Sequence, residues 1–349
     1  MTNALKILLP AAISFLMGII LTPIATHYFY KYKLWRRVSR LQNVPESNFA
    51  KINDGVTETS TPRTGGMIVW VSVVLTIFIF WLANLFFNDE LSNKLYFISR
   101  GQTLLPLFTL IVASIIGLGD DFIQIFGSGK WTTDPIKLRY IKISIIVGLG
   151  IIIGWWFFVK LGISSLYIPW FGLVDLGYIF IPFFILIMLG VWSTSVIDGI
   201  DGLSGGVLAS IFASYTLIAF FHDQLDLAAF CAVISGGILA FLWFNIPPAR
   251  FYMGETGMIG LTVTLSVIAF LTNTVLLLPI IAFPLFITSL SSLIQMFSRR
   301  FRNGKKVFLF APLHHHFEAL GWPKYKVTMR YWIVGVITSM VGVIISLVD

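Results

Sequence analysis

An all-α, polytopic membrane bundle of about ten spanning helices is the fold class this sequence predicts, and three observations carry the prediction. Hydrophobic residues make up 57% of the 349 positions and charged residues 11%, a more apolar balance than a soluble core of this length requires. The apolar runs reach the roughly 20 residues that a spanning helix needs. They also lack the two-residue alternation of a membrane barrel, so each must close its backbone hydrogen bonds within itself, as a helix.

In chain order the predicted spans are 5–29, 67–87, 103–119, 141–159, 178–196, 204–221, 226–244, 258–273, 276–296 and 331–348. The first run carries one lysine, Lys6, and no small-residue cleavage site, which makes it a retained span and not a signal peptide. The lone cysteine, Cys231, falls inside the seventh, so no intrachain disulfide can form. Neither an internal repeat nor a long linker divides the chain, and a single domain over residues 1–349 is expected.

Ten spans put both termini on the same side. Of the 24 Lys and Arg residues, 20 fall in the segments 31–66, 121–142, 245–257 and 297–330, which are the loops of one face. Basic loops stay in the cytoplasm, so both termini are expected to be extracytoplasmic and a cleft on this face to open to the cytoplasm. The net charge of +8 is then mainly an orientation signal, with a second use in holding anionic headgroups or phosphates. It points to no nucleic acid partner.

The acidic and imidazole groups fall on that same side. Asp120 and Asp121 end the third span in GLGDDF, Asp198 and Asp201 follow the fifth in VIDGIDGLSGG, Glu255 follows the seventh in NIPPARFYMGETG, and APLHHHFEALGW follows the ninth. Each motif has a plain reading beside the functional one. A carboxylate pair at a span end marks a water boundary as readily as a site. Helical neighbours point about 100° apart and serve one site only if the helix frays, which Gly117 and Gly119 would permit. Asp198 and Asp201, three apart, would share a helix face. Gly199, Gly202, Gly205 and Gly206 around them suit either a broken helix end whose amides receive a phosphate or close helix packing. Phe251 and Tyr252 suit an interfacial aromatic belt or a stacking platform for a base, with Glu255 beside them as a metal ligand.

Three successive histidines cannot converge from a regular helix. There is no cysteine beside them and no H-x-x-x-H spacing of the kind found in helical zinc sites. Phosphate binding suits them better, next to the basic stretch SRRFRNGKKVF. Carboxylates gathered with basic residues at a membrane surface fit magnesium, which takes oxygen ligands and bridges to substrate phosphates. The residues alone therefore predict an integral-membrane, Mg2+-dependent enzyme acting on phosphates. A secondary transporter would instead place acids near the bilayer midplane and show related halves.

Taken together, GLGDDF, DGIDGL, NIPPARFYMGETG and APLHHHFEALGWPKYKVTMRYW resemble the phospho-N-acetylmuramoyl-pentapeptide transferases, within the polyprenyl-phosphate N-acetylhexosamine-1-phosphate transferase superfamily. The first three motifs mark the superfamily. The histidine run with Gly321 and Trp322 marks the muramoyl-pentapeptide branch. The resemblance implies transfer of phospho-MurNAc-pentapeptide from UDP-MurNAc-pentapeptide to undecaprenyl phosphate, with release of UMP, by a homodimer in the lipid bilayer of the bacterial inner membrane. By the same resemblance Asp120, Asp121 and Glu255 are the catalytic acids, and Glu255 and Asp120 hold Mg2+. Asn245, Asp198, Asp201, Tyr252 and Gln295 would lie at or near the uridine, and His314, His315 and Lys137 would bind phosphate or sugar. Glu255 stands where an aspartate is usual and Ser195 where an asparagine is. The stretch TETSTPRTGG lacks the usual histidine and lysine upstream, and its Arg63 resembles the hexosamine branch. A UDP-N-acetylhexosamine:polyprenyl-phosphate transferase is the alternative reading.

Overall fold

The computed structural model describes residues 2–36, 59–127 and 135–348. Among the described residues nine helices are long and apolar enough to cross a membrane, and one bent pair brings the number to ten. The first half comprises α1 (Thr2–Lys31), α2 (Gly66–Phe87), the short α3 (Glu90–Leu95), α4 (Leu104–Phe126) and α5 (Pro135–Trp155). A π turn, Trp156–Lys160, prolongs α5 and leads into the antiparallel hairpin of β1 (Ser165–Ile168) and β2 (Gly172–Asp175).

The second half begins with α6 (Phe180–Trp192), prolonged by a 3-10 turn, Ser193–Ile197. It continues through α7 (Leu203–Phe221), α8 (Leu225–Asn245), α9 (Gly254–Leu271), α10 (Leu278–Ile281), α11 (Phe283–Phe301), α12 (Leu313–Ala319) and α13 (Lys324–Val348).

Helix α9 is the axis of the bundle, and every one of its residues except Glu255 is buried. Two of its hydroxyls bond to its own backbone, Thr262 to the Met258 carbonyl and Ser266 to Val263, while Thr256 donates to the Ser114 carbonyl of α4. Small residues let α4 come close. A Cβ on Gly117 would stand 2.2 Å from the Glu255 carbonyl oxygen, so only glycine permits this crossing. At the other end of α9, Phe270 packs against Phe184 with ring centroids 4.8 Å apart, in a cluster that also takes in Phe157 and Phe180.

Two predicted spans are corrected. The third does not stop at 119 but runs to Phe126, because the polar side chains past that point find partners on neighbouring helices, Asp120 on α5 and Asp121 at the start of α9. The ninth, expected to be continuous over 276–296, breaks at Ala282, where Val275–Ile281 and Phe283–Phe301 meet at 87°. Pro284 is the cause: inside a continuous helix its ring would clash with the carbonyl one turn earlier, so it opens a new helix instead.

Candidate active site

Glu255 opens α9 where α4 passes it, and Asp121 of α4 is fully buried behind it. Asp121 Oδ1 accepts from the Glu255 backbone N–H at 3.1 Å and Oδ2 from that of Thr256 at 2.9 Å. Met253, the N-cap residue of α9, supplies no side-chain cap. A carboxylate from the neighbouring helix therefore satisfies amides that the start of α9 leaves open, at the end where the helix dipole favours negative charge. Gly254 has φ +68°, and a Cβ there would lie 1.8 Å from the Arg63 carbonyl oxygen. Only glycine fits the turn.

Asp120 faces elsewhere. Its Oδ2 lies 2.6 Å from Lys142 Nζ on α5 and accepts from Gln124 Nε2 at 2.6 Å. Lys142 is also 3.5 Å from Glu255 Oε1, so carboxylates of α4 and α9 converge on one ammonium. Gln124 is steadied by the Arg36 guanidinium, which donates to its Oε1. The helix does not fray at Asp120 and Asp121, contrary to the sequence expectation. The two residues point apart as helical neighbours must, one toward the start of α9 and the other toward α5.

Asp198 and Asp201 do not share a helix face. Asp198 ends the 3-10 turn after α6, and both residues lie in the connection to α7, because Gly202 at φ +74° reverses the chain before α7 starts. Asp198 accepts from Ser204 Oγ at 2.8 Å and from the Gly254 N–H at 3.2 Å. Burial pushes its carboxyl above the usual carboxylate range, partly offset by the Ser204 hydroxyl and by the charge of Arg63. Asp201 Oδ2 accepts from the Ala249 N–H at 3.1 Å. Asn245 accepts from the Gly202 N–H at 2.9 Å and donates to the Phe251 carbonyl at 2.8 Å. These three side chains tie the α6–α7 loop to the α8–α9 loop. Gly206 packs against Trp332 and Gly205 against Phe241 and Leu242, so close packing explains those two glycines.

Tyr252 is half-buried, and its backbone pairs with the 62–65 segment through Tyr252 N–H to Pro62 O and Gly65 N–H to Tyr252 O. Gln295 on α11 is spent on the following loop. Its Oε1 accepts the Val307 and Phe308 amides at 3.0 Å each, and its Nε2 donates to the Phe308 carbonyl. Lys137 is exposed near the start of α5, on the same helix as Lys142.

The histidines form α12. His314 is 1% exposed, its Nδ1 has no hydrogen-bond partner among the described residues, and burial, then the neighbouring His315, push its pKa well below the ordinary imidazole range. Burial thus favours its neutral form, and the ring is pressed toward Gly199. His315 Nδ1 pairs with Glu318 Oε2 at 2.5 Å, which orients its ring and turns Nε2 toward Gly199 as well.

A family model described as "Glycosyl transferase family 4" matches residues 103–273, from α4 to the end of α9. The "Phospho-N-acetylmuramoyl-pentapeptide-transferase" of Chloroflexus aggregans is 32% identical over 98% of this chain and 90% of its own length. The chain belongs to the phospho-N-acetylmuramoyl-pentapeptide-transferase family. Relatives of the same name from Geobacillus thermodenitrificans and Anoxybacillus flavithermus are 31% and 30% identical. They cover 97% and 99% of this chain and 98% and 99% of their own.

The motif resemblance is thereby borne out. For a phospho-N-acetylmuramoyl-pentapeptide transferase of this sequence, reading the residues missed three groups. Lys142 counted only as a loop charge, although it is the last cation before the apolar run of α5 and reaches Asp120. Gln124 lies one helical turn after Asp120, a spacing that pairs side chains on α4. Arg63 marked only a departure from the family pattern, yet its charge acts on both Asp121 and Asp198. The stretch upstream of Thr59, where the usual histidine and lysine are missing, lies outside the described residues.

Proposed function

We propose that this chain transfers phospho-MurNAc-pentapeptide from UDP-MurNAc-pentapeptide to undecaprenyl phosphate and releases UMP, at the cytoplasmic face of a bacterial inner membrane. The observation that carries the reading is the convergence of Asp120 and Glu255 on one cationic point, in a chain related along its full length to transferases of that name. The concentration of Lys and Arg in one set of loops supports the cytoplasmic side.

In the reaction a phosphate oxygen of the lipid attacks the β-phosphorus of the donor. The bond from that phosphorus to the bridging oxygen breaks, and UMP leaves with the electron pair. Such transfers are catalysed mainly by positioning and charge neutralisation. Asp120 is the group assigned to take a proton from the lipid phosphate. Lys142 sets a positive charge against the phosphates from a position held by two carboxylates.

Both oxygens of Asp121 and both of Asp198 are engaged by backbone amides or a hydroxyl, which leaves Asp120 and Glu255 as the hard oxygen donors that share a cation. That donor set fits Mg2+. Asp120 and Glu255 would hold the ion, which when bound would neutralise phosphate charge. Asp201, Asn245 and Gln295 shape the loops around the uridine, Tyr252 offers its ring to the base, and His315 and Lys137 face the phosphates and sugar.

The test is Mg2+-dependent UMP release by the purified protein with undecaprenyl phosphate and either UDP-MurNAc-pentapeptide or UDP-GlcNAc. Release from the muramoyl donor that is lost in Asp120→Asn supports the reading. Release from UDP-GlcNAc alone assigns the chain to the hexosamine branch, on which Arg63 already bears. Release from neither overturns the proposal.

A further inference from the structure

Outside the carboxylate site, a cleft of about 450 Å³ opens on the flank of the bundle between the end of α1 and the segment that follows α8. Its rim carries His27 and Lys31 from the last turns of α1 and Arg250 from the α8–α9 loop, and no acidic side chain among the described residues lines it. All three are exposed, and Lys31 closes a spanning helix, which puts this trio at the depth where headgroups lie. The wall below is apolar, with Pro23 on α1 and Phe244 on α8. Further into the span, Ile20 and Ile24 extend the same side of α1 toward lipid and are 61% and 56% exposed. Cations above an apolar track complement a lipid with a phosphate head and an acyl tail.

The rim is also held in place. The Arg250 guanidinium sits 5.5 Å over the Phe244 ring, the Arg250 backbone N–H donates to the Phe244 carbonyl, and the Tyr30 hydroxyl donates to the Arg250 carbonyl at 3.0 Å. The next residue, Phe251, is fully buried and packs edge-on against Phe29 of α1 at 6.2 Å. Arg250 therefore starts the same short segment that ends in Gly254 and Glu255.

We propose that this cleft is a binding site for the phosphate of an anionic bilayer lipid, distinct from the carboxylate site, with His27, Lys31 and Arg250 taking the headgroup and α1 and Phe244 the chain. Occupancy would steady the segment that delivers Glu255.

The experiment compares thermal unfolding and native mass spectra of the full chain in mixed micelles containing phosphatidylglycerol, phosphatidylcholine or undecaprenyl phosphate, for the wild type and Lys31→Gln/Arg250→Gln. The expected result is bound phosphatidylglycerol and a raised Tm in the wild type, no effect of phosphatidylcholine, and apparent affinity lower by about tenfold or more in the double variant. An unchanged Tm of that variant in phosphatidylcholine shows that it folds. If only undecaprenyl phosphate gives the charge-dependent shift, the lipid-phosphate chemistry stands and its source is the acceptor. Equal binding of the anionic lipids by wild type and double variant, or no preference for either of them over phosphatidylcholine, overturns the proposal.

Discussion

Lys142 Nζ lies 2.6 Å from Asp120 Oδ2, an ion pair between α5 and α4 in which 9% of the aspartate side chain is exposed. A pair this buried is costly to break from one side, because the remaining charge loses its partner. Lys142→Met is expected to lower kcat for UMP release by about 10²-fold or more, the scale of losing one preorganised charge beside a transferring group. It should also lower Tm, read by thermal unfolding in detergent.

Asp120 and Asp121 are adjacent in sequence and differ in work. Asp121→Asn replaces one of two acceptor oxygens by a donor facing a backbone N–H. We expect a loss of about 1–3 kcal/mol in stability together with loss of activity. Asp120→Asn should abolish UMP release with a stability change less than half as large. Parallel measurement of Tm and turnover separates the two roles.

Glu255 is the one residue of α9 that is not buried. Glu255→Gln keeps the reach and removes the charge, and should reduce UMP release by about 10²-fold. Glu255→Asp keeps the charge and shortens the arm by one methylene, so it should stay within about tenfold of wild type in kcat while shifting the Mg2+ concentration for half-maximal rate. Titration of Mg2+ against rate for both variants checks this.

His314 supplies a pH dependence of defined sign. Burial holds its folded-state pKa well below the ordinary imidazole value of 6.5, so the unfolded chain binds a proton that the folded one refuses. Stability is therefore full above about pH 6.5 and falls as pH drops from there toward the folded pKa. His314→Gln should flatten that acid limb in Tm measured between roughly pH 5 and 8.

Gln295 holds the loop ahead of the histidine helix by three backbone contacts. Gln295→Ala leaves two amides and a carbonyl of this loop without their partner and should cost about 1 kcal/mol. An accompanying rise in the KM for the nucleotide donor with kcat little changed is expected, since the loop positions the binding elements.

The helices themselves were largely legible, because membrane insertion demands long apolar runs and the runs are visible residue by residue. The errors fall where polar side chains sit on helices that continue anyway. Residues 120–126 of α4 and 324–330 of α13 are helical, although hydropathy excludes them. The hairpin of Ser165–Ile168 and Gly172–Asp175 went unseen because strands of this length leave no periodic signal.

Composition, charge asymmetry and four motifs were enough to specify a membrane-embedded transferase family, because those properties depend on residue type and order along one chain. Which atom each acid serves was settled only by packing. Asp121 caps a helix that begins 133 residues later, Asp120 meets a lysine on α5, Asn245 and Gln295 bind backbone, and burial favours the neutral form of His314. Hydrogen bonds and desolvation act over a few ångströms between segments distant in sequence, and local pattern carries no record of which segments meet.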